Sequence, residues 1–226
     1  MSELYSKHAA KYDSMIQTNI YNAMYDFPSM TALIGDVTGL DIVDLGCGSG
    51  VYAQYFIDNN AAQVTCIDAS PEMIDIVQTK LGARVISQGL AVIEAGSADR
   101  VISALMIHYL ADLNALCADV SRILKQGGEF VFSTHHPFAD FNDSASDNYF
   151  QRELITDMWN TVGEPVKVQF YRRALSEITT ALTDNGLMIS ALTEGQVLEQ
   201  AKTICEKTYH FLSTKPNFLF IKAVKV

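Results

Sequence analysis

Basic residues are scarce in this sequence: 16 lysines and arginines stand against 26 acids, a formal net charge of −10 over 226 residues. That balance opposes a phosphate backbone, and no basic patch offsets it, Arg172-Arg173 being the densest basic spot. No nucleic-acid partner is therefore expected. The four cysteines, at 47, 66, 117 and 205, lack metal-ligand spacing, so no metal site is expected, and their settings suit reduced thiols. No apolar run approaches the length of a membrane span, and the N-terminus shows no signal-peptide core. The expectation is a cytoplasmic protein with no membrane partner. Repeats, low-complexity tracts and linkers are missing too. A hydrophobic content of 49% supplies one substantial core in a chain too short for two comfortable ones, so one domain over 1–226 is expected.

What is present is organised around Ile42-Val43-Asp44-Leu45-Gly46-Cys47-Gly48-Ser49-Gly50. Residues 42–45 form a short apolar run holding one acid, the pattern of a buried parallel strand. Alternating glycines follow, with Cys47 among them, and residues 51–57 begin a helical apolar pattern. Strand, glycine turn and helix let a nucleoside-bearing ligand lie against bare backbone at a helix N-terminus. The next apolar run, 63–67, ends in Asp68. An acid at the tip of a second strand can accept both hydroxyls of a ribose laid across the turn. Ser70-Pro71-Glu72 then reads as N-cap, first helical residue and first-turn acid of another helix.

The alternation continues through helix 71–80, a third strand near 84–87 and a fourth at 100–105. Asp112 opens a helix with an apolar stripe at Leu113, Leu116, Cys117, Val120, Ile123 and Leu124. Gly127-Gly128 is expected to end it, before a fifth strand at 129–134. This rhythm predicts an α/β fold with a Rossmann-like, doubly wound parallel sheet and right-handed crossovers. Residues 1–37 read as an aromatic, helical N-terminal cap. Over 137–173 the rhythm breaks: 138–148 is polar and loop-like, while 149–159 and 166–171 are strand-like. A β-rich lid over the C-terminal edge of the sheet is expected there. Helix 176–184, a sixth strand at 187–192, a mainly helical 197–212 and a last strand at 218–226 complete the chain.

Val43-Asp44-Leu45-Gly46-Cys47-Gly48-Ser49-Gly50, with Cys66-Ile67-Asp68-Ala69-Ser70-Pro71-Glu72-Met73, resembles the first two motifs of class I S-adenosylmethionine (SAM)-dependent methyltransferases. The likeness runs on through Ile107-His108-Tyr109-Leu110 and Leu124-Lys125-Gln126-Gly127-Gly128-Glu129-Phe130 to the C-terminus. It implies a seven-stranded sheet whose last two strands form an antiparallel edge hairpin. It also implies an enzyme of the small-molecule branch, with SAM as cofactor and S-adenosylhomocysteine as product. Gly46, Cys47, Gly48 and Gly50 would meet the cofactor, Asp68 its ribose, Ala69 its adenine, and Ala104 and Leu105 its methionine end. Asp44 would orient the loop or meet the amino-acid end through water. Tyr12, in Ala10-Lys11-Tyr12-Asp13, matches a tyrosine that closes over the cofactor in relatives. After the third strand relatives carry Gly-Asp-Ala, the acid receiving the adenine amino group. Here Gly89-Leu90-Ala91 has no such acid, leaving backbone groups of Leu90 and Ala91 to read the adenine edge.

Methyl transfer from a sulfonium requires a nucleophile held in line, roughly 3–3.5 Å from the methyl carbon. A general base is needed only where that nucleophile is protonated. His108, at the pocket mouth, and His136, in a Ser-x-x-His-Pro stretch shared with some small-molecule methyltransferases, are the candidate catalytic residues. Packing or capping is the plainer role for His108. Phe138, Phe141, Tyr149, Phe150 and Trp159 can shape an apolar substrate pocket or form the lid's own core. No Asn/Asp-Pro-Pro-Tyr/Phe tetrapeptide, a mark of amino-methylation on nucleic acids and proteins, occurs. The reading is methyl transfer to an O or N atom of a small acceptor, apolar or aromatic. Two others stay open. An NAD(P)-dependent oxidoreductase is disfavoured because position 51 is Val where G-x-G-x-x-G needs glycine. A non-catalytic SAM-binding protein is kept in view by the leucine at 90. Neither the acceptor's identity nor an oligomeric state follows from these residues.

Overall fold

The computed structural model describes residues 2–82, 84–86 and 89–226, the stretch 84–86 by its backbone only. Five strands alternate with helices: β1 (Asp41–Leu45), β2 (Gln63–Ile67), β3 (Arg84–Ile86), β4 (Ala98–Ser103) and β5 (Leu124–His135). A separate hairpin of β6 (Glu153–Trp159) and β7 (Val166–Arg172) follows, then β8 (Leu187–Thr193) and β9 (Phe218–Lys225). All but the hairpin form one seven-stranded sheet, in the order β3-β2-β1-β4-β5-β9-β8. The first five strands pair in parallel, and β9 runs antiparallel to both β5 and β8, which gives the expected edge hairpin. Ser87, expected to end the third strand, lies outside the described residues.

The apolar strands are buried on both faces, as a parallel sheet between helices requires. Val43, Leu45, Val101, Phe130 and Phe132 feed one layer with α5 (Leu113–Ile123) and α7 (Leu175–Thr183). Ile42, Ile102 and Val131 feed the other with α2 (Phe27–Ile34) and α3 (Val51–Asp58). Helix ends follow local chemistry. Ser70 Oγ accepts from Met73 N at 3.2 Å to open α4 (Pro71–Leu81), and Gly82, at φ 56°, closes it. Asp112 accepts from Ala115 N at 3.0 Å to open α5.

Two expectations change and two are refined. Helix α5 stops at Ile123, and Gly127-Gly128 lies inside β5. Leu124 pairs with Ala98 and Glu129 with Arg100, so 125–128 bulge from the ladder. A Cβ at Gly128 would sit 2.9 Å from Lys125 O and 3.0 Å from Asp99 O, so backbone crowding, not helix capping, requires this glycine. A short helix, α6 (Pro137–Asn142), replaces part of the expected loop after β5. The span 197–212 holds two helices, α8 (Ala201–Ile204) and α9 (Glu206–Thr214), parted by an extended Cys205. The N-terminal cap is segmented: a 3-10 turn (Glu3–Tyr5), α1 (Ala9–Ile16) and a π-helical turn (Asn22–Asp26) precede α2.

The hairpin does not stand alone. Val166, Val168 and Phe170 alternate inward along β7 and pack with Ile155, Val162 and Leu4 into a third core, flanked by Tyr5, Tyr12, Tyr109 and Trp159. Ser2 Oγ donates to Lys167 O at 2.9 Å. The fully buried Arg172 donates to the carbonyls of Asn148, Tyr149 and Gln151, pinning the preceding loop. On the other side, Ser70 Oγ donates to Tyr5 O at 2.5 Å and Lys80 bonds Asp13, tying the N-terminal segment to α4. N-terminal segment and hairpin thus make one roof over the C-terminal ends of the strands.

Candidate functional site

Between roof and sheet lies a cleft of about 2650 Å³. Of the expected cofactor-binding and catalytic residues, all but Asp44, Ala91 and His136 line it.

The three turn glycines have different duties. All take positive φ (75°, 53° and 88° for Gly46, Gly48 and Gly50), which side chains resist. A Cβ at Gly46 would come 2.4 Å from Met106 Cγ, and one at Gly50 3.1 Å from Val77 and Leu81. A Cβ at Gly48 would meet nothing within 4 Å. Two glycines therefore permit packing, and Gly48 presents bare backbone to the cleft. Its N–H donates to Asp68 Oδ2 at 2.9 Å, and Ser70 N–H donates to Oδ1 at 2.8 Å. Each oxygen keeps further acceptor capacity. Burial raises the Asp68 pKa, and these backbone N–H groups work against the rise.

Asp44 lies beneath the turn, 1% exposed, its Oδ2 without a hydrogen-bond partner. Burial, then the charge of Asp68, pushes its pKa up to about 7. Leu90 is buried at the cleft, but its carbonyl already accepts from Arg122 Nη2 at 2.7 Å, and Ala91 is exposed outside the lining. Leu105 adopts φ 49°, uncommon for a residue with a side chain. Its N–H donates to Ser133 Oγ at 3.0 Å and Ser133 O at 3.1 Å, which holds that strained conformation at the cleft wall.

The far end of the cleft is built from rings. His108 is 2% exposed, with Nδ1 3.4 Å from Thr134 Oγ1 and its ring stacked on His135 at 3.9 Å and 19°. Burial, then His135 and Arg173, keeps its pKa well below the usual histidine value, so the ring is neutral. His108 Nε2 is buried without a partner. His135 lines the cleft, its Nδ1 3.3 Å from Asp140 Oδ1. Phe170 meets the His135 ring edge-on at 4.6 Å, Trp159 lies at 5.7 Å and Phe218 at 6.1 Å.

His136 is turned away. Its Nδ1 accepts from Phe138 N at 3.2 Å, capping α6, and its Nε2 lies 3.1 Å from Glu194 Oε1. The cleft position expected of His136 belongs to its neighbour, because successive strand residues point to opposite faces. Both faces of β5 are buried from Val131 to Thr134, so alternation in the sequence does not by itself say which histidine reaches the cleft.

The expected aromatics divide. Phe138 and Trp159 line the cleft, whereas Phe141 and Tyr149 pack edge-on at 5.5 Å within the lid. Tyr12 lines the cleft too, edge-on to Tyr5 at 5.1 Å, while Tyr5 and Tyr109 share a hydroxyl hydrogen bond of 2.7 Å. Tyr25 belongs to the core, stacked on Phe218 at 5.2 Å. Asp26 went unnoticed in the sequence. It lines the cleft at 3% exposure, its Oδ2 accepting from Tyr52 Oη at 2.6 Å.

Among the described residues no group of three or more His, Cys, Asp or Glu side chains is placed to hold a metal ion, and no helix is long and apolar enough to cross a membrane. A nucleoside carrying positive charge suits the remaining features: open backbone at Gly48, an acid at the tip of β2, and an unpartnered acid beneath the turn.

Comparison with known proteins agrees. The family model described as "Methyltransferase domain" matches residues 43–132. An uncharacterized protein of Haemophilus influenzae is 25% identical, the alignment spanning 99% of this chain and 94% of that protein. A ubiquinone biosynthesis O-methyltransferase of Xanthomonas oryzae pv. oryzae is 32% identical over 44% of each chain, so less than half of that relative is matched. Among solved structures, an S-adenosylmethionine dependent methyltransferase from Mesorhizobium loti superposes with a TM-score of 0.69 at 25% identity, covering 88% of this chain and 97% of that one. A Listeria monocytogenes protein assigned to the same class gives 0.76 at 26% identity, covering 89% and 96%. The strand order, the glycine turn with its paired acids and these likenesses converge: residues 43–132 form a methyltransferase domain, and the chain has the fold of the class I SAM-dependent methyltransferases, enzymes whose cofactor is S-adenosylmethionine.

Proposed function

We propose that this enzyme methylates an oxygen or nitrogen atom of a small, planar, largely apolar acceptor bound under the roof. The acceptor pocket would lie between the N-terminal cap, 1–37, and the lid, 137–173, within a single domain. The observation that carries this reading is the stacked His108–His135 pair, set in aromatic rings at the ends of β4 and β5. Rings on several sides favour a flat acceptor and exclude water around a reacting pair. The net charge of −10 weighs against a phosphate-rich macromolecule. The relative from Xanthomonas, an O-methyltransferase, supports oxygen as one acceptor atom.

Gly48 and Asp68 would hold the nucleoside, with Leu90 beside the adenine and Tyr12 over it from the cap. Bound SAM supplies an electrophilic methyl carbon on a sulfonium. The acceptor's lone pair would take that carbon while sulfur kept the electrons of the broken carbon–sulfur bond, and the protein's part is to hold the two in line. A phenol or alcohol must also lose a proton. His135 would take it, with Asp140 Oδ1 at 3.3 Å from its Nδ1 beside the ring. His108, kept neutral by burial, can hydrogen-bond the acceptor through the unpartnered Nε2.

The test is a panel of hydroxylated and aminated aromatic compounds incubated with enzyme and SAM, following S-adenosylhomocysteine and locating the methyl group by NMR. Turnover with an O- or N-methylated product is expected. Methylation only at carbon, or only of macromolecules in an extract, would overturn the reading.

A further inference from the structure

Buried side-chain polar atoms that make no hydrogen bond are costly, so each calls for an explanation. Among the described residues there are six: His108 Nε2 and His135 Nδ1 at the ring-lined end, Arg172 Nε in the lid, and Asp26 Oδ1, Asp44 Oδ2 and Ser49 Oγ. The last three surround the first turn of α3. Tyr52, on that turn, donates to Asp26 and feels the charges of both Asp26 and Asp44.

We propose that Asp26 is a cofactor-binding residue. With Asp44 it seats the α-ammonium group at the amino-acid end of the cofactor, across the glycine turn from the ribose acid Asp68. This deepens the cofactor reading and rests on the nucleoside lying at Asp68.

The placement comes from an irregularity. A π-helical turn over Asn22–Asp26 inserts extra backbone before α2, and such turns recur at functional sites. Here two neighbours both end up buried: Tyr25, 1% exposed, fills the core, and Asp26, 3% exposed, reaches the cleft lining. Against Asp26 pack the hydroxyls of Tyr52 from α3 and Ser133 from β5, and none of the influences on its carboxyl is a cation. Tyr12 on α1 and Tyr25 on the same turn are the other titratable groups that feel its charge. Among the described residues the protein thus provides an acid, two neutral hydroxyls against it of which Tyr52 is hydrogen-bonded to Oδ2, and no positive charge.

The cofactor carries two cationic centres, and only one has N–H groups. A sulfonium cannot donate to an unpartnered oxygen, whereas an ammonium offers three donors and a full charge. The accompanying carboxylate needs donors instead, and Ser49 Oγ is unpartnered at the N-terminus of α3, where helix polarity favours an anion.

Calorimetric titration of wild type and Asp26→Asn with two ligands decides the matter. S-adenosylhomocysteine carries the amino-acid arm, and 5′-methylthioadenosine lacks it. The substitution should weaken the first at least tenfold and leave the second within twofold. Equal losses for both would make Asp26 a structural residue, and no loss would remove it from the site; either overturns the proposal. Asp68→Ala run alongside should weaken both ligands, and if it weakens neither, the underlying nucleoside placement has failed instead. Should Asp26→Asn not fold, wild type supplies the answer. The preference for S-adenosylhomocysteine over 5′-methylthioadenosine should grow tenfold or more from pH 5.5 to pH 8 as the acidic seat ionises. A flat ratio overturns it.

Discussion

At the glycine-turn end of the cleft, position is set by main chain. Gly48 and Ser70 fix Asp68 through backbone N–H groups, a side chain at Gly46 would collide with Met106, and one at Gly50 would crowd Val77 and Leu81. At the histidine end, position is set by side chains: two imidazoles stack between Phe170, Trp159, Tyr109 and Phe218, supported from above by a hairpin whose core includes Leu4. A ligand held by backbone is insensitive to most substitutions, because backbone geometry belongs to the fold. A ligand held by packed rings is recognised by shape, and single substitutions re-cut that shape. A shared cofactor and a particular acceptor call for these two constructions.

The comparison breaks most visibly at His135. His135→Ala should lower kcat by roughly 10²–10⁴ for a hydroxyl acceptor, the usual contribution of a general base, with unchanged affinity for S-adenosylhomocysteine. Stopped kinetics with intact cofactor binding is the expected pair of results. Equal damage to both would mean that the two ends are not separable. At the other end, Asp68→Ala should weaken S-adenosylhomocysteine by roughly 1.5–3 kcal/mol, the scale for hydrogen bonds to a charged acceptor. Unchanged affinity in a titration would remove Asp68 from the ribose contact.

The smallest effect concerns stability. Asp44 has a folded-state pKa of about 7 against an ordinary 3.8, so between those values the folded protein holds more protons than the unfolded chain. Its contribution to stability therefore falls as pH rises from about 4 to about 7 and stays low above. Asp44→Asn should be more stable than wild type at pH 8, by roughly 1–2 kcal/mol, and nearly equal to it at pH 4. Ligand-free thermal melts at the two pH values measure this. A variant that melts lower at pH 8 would show that Asp44 stabilises the empty turn.

The main-chain end was also the legible one. Residues 42–50 and 63–72 state their geometry locally: an apolar run, glycines where φ must be positive, an acid at a strand tip, a serine before a proline. The side-chain end depends on contacts between distant segments, and its rings are common core residues that announce nothing by themselves. His135 was hidden by an eye-catching neighbour: the motif drew attention to His136, and in a strand buried on both faces alternation could not choose between the two. Gly127-Gly128 resembled a helix stop because glycine serves both caps and bulges, and only the pairing of Leu124 with Ala98 distinguishes them. Asp26 could not be inferred from helical periodicity, because a π turn breaks the period on which that inference depends.

The chain has a single tryptophan, and it stands in the roof, its ring 5.7 Å from that of His135. Indole emission shifts with the polarity around it and is quenched by a nearby imidazolium, so this protein carries an intrinsic optical probe at the histidine end of its cleft. A flat acceptor sliding beneath the roof, or a proton arriving on His135, would be recorded as a change in light from Trp159, with no label attached and no turnover required.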